Sequence, residues 1–138
     1  MVTRYYGIKL KGNSAMRHEH YKMKRKTLQE VLANPYFIKF IEDLKNCSTV
    51  KEIYIVGSMV RKGVSNKDVD IKVVRIEQNM TGDKEIYNLI DSFPHLSPHK
   101  KKLTAIKYFM IGDILINVFW SEMRFDKPYT LLWRNESA

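Results

Sequence analysis

Apolar positions recur along this chain with two different periods. Met16, Met23, Leu28, Val31 and Leu32 fall on one side of a helix that Ser14 is placed to cap and that runs to about Asn34. Pro35 suits the first turn of a second helix, in which Phe37, Phe40, Ile41 and Leu44 keep the 3.6-residue spacing. The period then changes. KEIYIVGS, ending at Ser58, is a β-branched run that reads as a buried strand closing on Gly-Ser, and after a polar stretch DVDIKVV, from Asp68, is a second strand. Residues 83–92, with Ile86, Leu89 and Ile90, read as a helix that Pro94 stops. KKLTAIKYFMIGDILINVFW reads as a hairpin turning at Gly112-Asp113, with a short terminal helix expected near 126–134. The first ten residues alternate loosely (Tyr6, Ile8, Leu10), as an edge strand or an ordered arm would. The order αα-β-(α)-β-α-ββ-α predicts an α/β or α+β layer fold with one mixed sheet.

Composition narrows the class. The chain has 138 residues, 44% of them hydrophobic and 28% charged, which fits a single domain and excludes a disordered or fibrous chain. No stretch approaches the ~20 apolar residues of a membrane span. The start has no apolar run with a small-residue cleavage site, so an intracellular location is expected. Cys47 is the single cysteine, which excludes an internal disulfide and a cysteine-based zinc site and leaves a buried or half-buried thiol. The net charge of +9 is unevenly spread: residues 1–26 carry eight Lys/Arg against one Glu, and residues 100–107 add four Lys. Such an excess draws phosphate-bearing partners, although solubility alone also makes small proteins basic.

The chemistry concentrates between residues 53 and 74. Gly57-Ser58 ends a strand where a short helix begins; without a side chain, Gly57 lets the backbone approach a phosphate, and free N–H groups face it. Ser58 adds a hydroxyl donor and Arg61 a fixed charge one turn on. Asp68 and Asp70 stand at i and i+2, hence on one face of a strand. Two acids on one face repel unless a cation sits between them, and Mg²⁺ (or Mn²⁺) favours carboxylate oxygens together with substrate phosphates. A phosphate cradle facing an acid pair is the layout of nucleotidyl transfer. Elsewhere the signals are thinner. His18 and His20 point apart on a helix, and His95 and His99 lie in a Pro-rich loop expected to be exposed. Lys22, Lys24, Arg25 and Lys26 on the first helix, and Lys100, Lys101 and Lys102 before the hairpin, are candidates for nucleic-acid backbone contact or simply solvated charge.

Gly57-Ser58 followed by Asp68-Val69-Asp70 and a β-branched strand resembles the signature of the polymerase-β-like nucleotidyltransferase superfamily. The spacing is similar to that of the family X DNA polymerases, and Arg61 falls where that family keeps a triphosphate-contacting arginine. INVFWSEMRFDKPYTLLWRNES looks like the family's third-carboxylate strand and the segment after it. Trp133 lies sixteen residues past Asn117, the spacing from the family's third Asp to the aromatic of its aromatic-Thr-Gly-Ser turn. KPY at 127–129 is similar to the small viral members, which suggests a viral origin. The resemblance covers roughly residues 50–138. It implies a palm there, a basic helical part over 1–46, one domain over 1–138 and no thumb. The palm would have helices on one face of a mostly antiparallel sheet and an open, acidic-rimmed opposite face. The implied activity is Mg²⁺-dependent transfer of a nucleotide from an NTP or dNTP to a hydroxyl acceptor, a DNA or other nucleic-acid end. Gly57, Ser58, Arg61 and Trp133 would bind the nucleotide, and Asp68 and Asp70 the metal.

This sequence departs from that pattern at two places. Asn117 stands at the third acid, and its amide carries no charge and accepts no proton. Trp133-Arg134-Asn135-Glu136-Ser137 lacks the glycine of the turn. Three accounts stay open: Asp113 or Glu122 substitutes, an easily deprotonated acceptor needs only two carboxylates, or the binding site persists without the reaction. Two alternatives to the polymerase-like reading follow. One is a catalytically silent palm that binds nucleic acid or a protein partner. The other is a small-molecule or protein nucleotidyltransferase that works with a partner chain or as a homo-oligomer.

Overall fold

Thr27 decides where the first described helix begins. Its hydroxyl accepts from the Glu30 N–H (3.1 Å) while the Glu30 carboxylate accepts from the Thr27 N–H (2.7 Å), a reciprocal capping box. The computed structural model describes residues 23–76, 80–96, 106–121 and 129–135. In chain order these form β1 (Lys26–Thr27), α1 (Leu28–Ala33), α2 (Pro35–Lys45), β2 (Val50–Val56), α3 (Ser58–Lys62) and β3 (Val64–Ser65). Then follow β4 (Val69–Arg75), α4 (Met80–Asp91), β5 (His95–Leu96), β6 (Ile106–Ile111), β7 (Ile114–Ser121) and β8 (Thr130–Arg134). The expected helix from Ser14 to Asn34 is therefore corrected over its described part. Residues 23–25 have no regular secondary structure, Lys26–Thr27 form β1, and Met23 is buried without being helical.

The fold is α+β. Six strands form one sheet in the order β5-β6-β7-β4-β2-β8, in which only the central β4–β7 pair is parallel. β1 and β3 make a separate two-stranded ladder, Lys26 opposite Ser65 and Thr27 opposite Val64. The helix that follows is tied to the same loop, with the Leu28 N–H donating to the Gly63 carbonyl (2.9 Å). α2 behaves as its pattern predicts: Pro35 starts it, and Phe37, Phe40, Ile41 and Leu44 are buried; Asn34, read as the end of the preceding helix, also caps it. Each such side chain contributes roughly 1.5–3 kcal/mol on burial. Phe40 meets Phe93 and Phe109 edge-on at 5.4 and 5.3 Å, which joins α2 to the end of α4 and to β6. Ile53, Ile55, Ile71, Val73, Ile116 and Val118 supply the sheet's side of this core, and Ile86 and Ile90 the α4 side. Cys47 is buried at its edge, and burial pushes its thiol up to about 11.

Two further expectations need correction. Residues 130–134 are not helical. They form β8, antiparallel to β2 with Ile53 opposite Trp133, because pairing with a sheet edge far away in sequence outweighs local preference. The sheet face turned away from the main core is not an open surface either. Glu52, Tyr54, Val56, Lys72 and Val74 on that face are all buried. Glu52, at 0% exposure, accepts from the Tyr54 hydroxyl and from Arg134 Nε (3.2 Å), and Lys72 donates to Ser121.

Candidate functional site

The site begins with a backbone conformation. Gly57 has φ +77° and ψ −154°, a region essentially closed to residues with a side chain. It turns the chain sharply from β2 into α3. A methyl group on Gly57 would stand 2.3 Å from Oδ2 of Asp70. The missing side chain therefore makes room for a carboxylate of this same chain. The Gly57 carbonyl accepts from the Val60 and Arg61 N–H groups, both at 3.1 Å, which aligns α3 and its Arg61 above the strand ends.

Around this corner lies a cavity of about 500 Å³. Gly57, Ser58, Arg61 and Lys62 line it from the β2–α3 turn. Ser65, Asn66, Lys67 and Asp68 line it from β3 and the loop after it, Asp70 from β4, and Arg25 from the segment before β1. Ser65 Oγ knits two walls together: it accepts the Lys67 N–H at 3.1 Å and meets Ser58 Oγ at 3.5 Å. Four cations thus face two carboxylates, Arg25, Arg61, Lys62 and Lys67 against Asp68 and Asp70. The expected acidic rim is a basic one with acids set into it.

The two acids differ in their surroundings. Burial raises the Asp70 carboxyl, while the Asn117 amide and the Arg61 charge oppose that rise. Among the described residues, no side chain donates to Asp68. Burial first, then the neighbouring Asp70 charge, push it up to about 6, only partly offset by Lys67. Asp70 ionises more readily, and its charge then penalises Asp68. Asn117 stands opposite Asp70 across the parallel β4–β7 pair and donates from Nδ2 to Asp70 Oδ1 at 2.9 Å. Its own Oδ1 is buried and has no hydrogen-bond partner among the described residues. Among the described residues, no group of three or more His, Cys, Asp or Glu gathers to hold a metal ion. Asp68 and Asp70 alone fit the mode in which Mg²⁺ takes one or two carboxylates and completes its shell with phosphate oxygens and water.

Of the residues singled out from the sequence, Gly57, Ser58, Arg61, Asp68 and Asp70 come together, and Asn117 joins them through Asp70. Trp133 does not. It lies opposite Ile53 and packs on the main core, on the other face of the sheet from Asp70 and its partner Val56. Lys26 is half-buried and bound to Asp113 (2.9 Å) at the β6–β7 turn, so neither is a free cation or a spare third acid. Lys24 is exposed in the irregular segment before β1, whereas Arg25 reaches the cavity. Lys22, Lys100, Lys101, Lys102, His18, His20, His99 and Glu122 lie outside the described residues. His95 is half-buried on β5 rather than exposed in a loop, its Nδ1 2.8 Å from the Phe93 carbonyl. Lys62, Ser65 and Lys67 were missed; the charge density of RKGVSNKD between the two strands was the available signal. Comparison with family models, curated proteins and solved structures finds no significant match to this chain. Among the described residues, no helix is long and apolar enough to cross a membrane.

Proposed function

We propose that this protein is an Mg²⁺-dependent nucleotidyltransferase of the family X polymerase type, built on a palm-like sheet, with its nucleotide in the cavity between α3 and β4. One observation carries the reading: the cavity gathers a Gly-Ser corner, four cations and two half-buried carboxylates at the start of one strand. Arg25, Arg61, Lys62 and Lys67 supply the positive charge that a triphosphate requires, and the arginines suit bidentate contact with phosphate oxygens. Ser58 and the N–H groups behind Gly57 add neutral donors. Asp68 and Asp70 would hold Mg²⁺ or Mn²⁺, which when bound supplies neutralisation of the charge developing on the phosphates. Transfer would proceed by in-line attack of an acceptor hydroxyl on the α-phosphate with pyrophosphate leaving, and positioning by these residues provides most of the acceleration. The basic N-terminal segment, which delivers Arg25 to the cavity, favours a nucleic-acid end as acceptor.

The test is calorimetric titration of NTPs and dNTPs into the full chain, with Mg²⁺ and again with EDTA, beside Asp70→Ala. Metal-dependent binding that disappears in the variant is expected. Failure to bind any nucleotide would remove the reading. The second reading, a silent palm that binds without turning over, draws on the Asn117 amide: it occupies one oxygen of Asp70 and offers no base. Incorporation assays with a DNA end separate the two, since only the first predicts a product.

A further inference from the structure

The nucleotide reading gives Asn117, which holds Asp70, no task. A carboxylate only accepts hydrogen bonds, so the amide presents its N–H to Asp70 and turns its oxygen away. The 2.9 Å between Asn117 Nδ2 and Asp70 Oδ1 is close to the separation of about 3 Å at which two oxygens share one octahedral cation with bonds of ~2.1 Å. Here one of those two places is filled by an N–H. A cation entering between them would have to break the hydrogen bond and turn the amide round, and would then find a neutral oxygen in place of a carboxylate. The other oxygen of Asp70, Oδ2, lies on the Gly57 side, the side of the cavity that Asp68 also lines.

We propose that the site takes a single divalent cation, on the cavity side of Asp68 and Asp70, and that Asn117 keeps a second one out. The inference rests on the nucleotide reading only for the phosphate that completes the cation's shell. Two carboxylates balance one divalent charge, and a second cation would find a neutral amide whose N–H is already directed at Asp70. The same hydrogen bond holds Asp70 in place when no cation is bound.

Mn²⁺ is the probe, counted by equilibrium dialysis against the full chain, with and without saturating amounts of a nucleoside triphosphate analogue carrying a methylene between its α- and β-phosphorus atoms. One Mn²⁺ per chain is expected in the wild type and two in Asn117→Asp, with circular dichroism establishing that the variant is folded. Two in the wild type overturns the inference. One in a folded Asn117→Asp overturns the assignment of exclusion to Asn117; should that variant not fold, the wild-type count decides. A chain that retains one Mn²⁺ but no nucleotide keeps the inference and loses the nucleotide reading. Nucleotide retained with two Mn²⁺ does the reverse, and retention of neither ligand removes both.

Discussion

Replacing Asp68 with Asn removes a charge that folding makes costly. Burial and the Asp70 carboxylate hold the Asp68 carboxyl up to about 6, against an ordinary value of 3.8. Between these two values the native state binds more protons than the unfolded chain. Stability therefore falls as pH rises through that window and stays lowered above it. At about 1.4 kcal/mol per unit, the shift caps the penalty near 3 kcal/mol. Screening by solvent at this half-buried position, and the water that the Asn amide itself loses, reduce the expected gain to about 1–2 kcal/mol. Asp68→Asn should thus be more stable than the wild type in urea unfolding with EDTA near neutral pH. The two proteins should converge at about pH 3, below both values. Adding Mg²⁺ with nucleotide should reverse the order, because only the wild type keeps both carboxylates. No gain at neutral pH, or a gain of unchanged size in acid, would refute the reasoning.

Gly57→Ala places a methyl 2.3 Å from Asp70 Oδ2 at φ +77° and should cost at least ~2 kcal/mol in denaturant unfolding while weakening Mg²⁺-dependent nucleotide binding. Phe40→Ala removes the ring that meets Phe93 and Phe109 at the centre of the core; a loss of about 3–5 kcal/mol is expected by the same measurement. Asp113→Asn should cost no more than ~1 kcal/mol and leave the Mn²⁺ count unchanged, since that carboxylate serves Lys26. A drop in the count would return Asp113 to the list of metal ligands.

The parts of the fold legible in the sequence are those fixed locally. α2 follows from Pro35 and the apolar stripe of Phe37, Phe40, Ile41 and Leu44, and the β6–β7 turn from Gly112-Asp113. β2 and β4 follow from runs of Val, Ile and Tyr bounded by Gly57 and Asp68. Reading failed where a distant partner decides. Leu131, Leu132 and Trp133 suit a helix as well as a strand until the edge of β2 is available to them. The start of α1 was written in the chain as Thr27-x-x-Glu30, but the longer periodic stretch from Ser14 obscured it. At the site, the glycine corner and the acid pair were legible, but the missing side chain of Gly57 was read as room for a phosphate, whereas it is Asp70 Oδ2 that takes that room. The meeting of Arg25 with Arg61 was not legible, because the ladder that brings them together is only two residues long.

That ladder ties the cavity to the segment from Met23 to Leu28. Lys26 and Thr27 pair with the strand that leads into Lys67 and Asp68, and the Leu28 N–H closes on Gly63. A pair of two-residue strands opens far more readily than the six-stranded sheet beside it, so the amides of both partners should exchange with solvent together and faster than those of β4. Occupancy of the cavity would slow them together. A fragment starting at residue 50 would lose Arg25, the strand that braces the loop between Gly63 and Asp68, and the α2 side chains that cover one face of the sheet. The site's boundary in sequence thus extends at least some twenty-five residues upstream of β2.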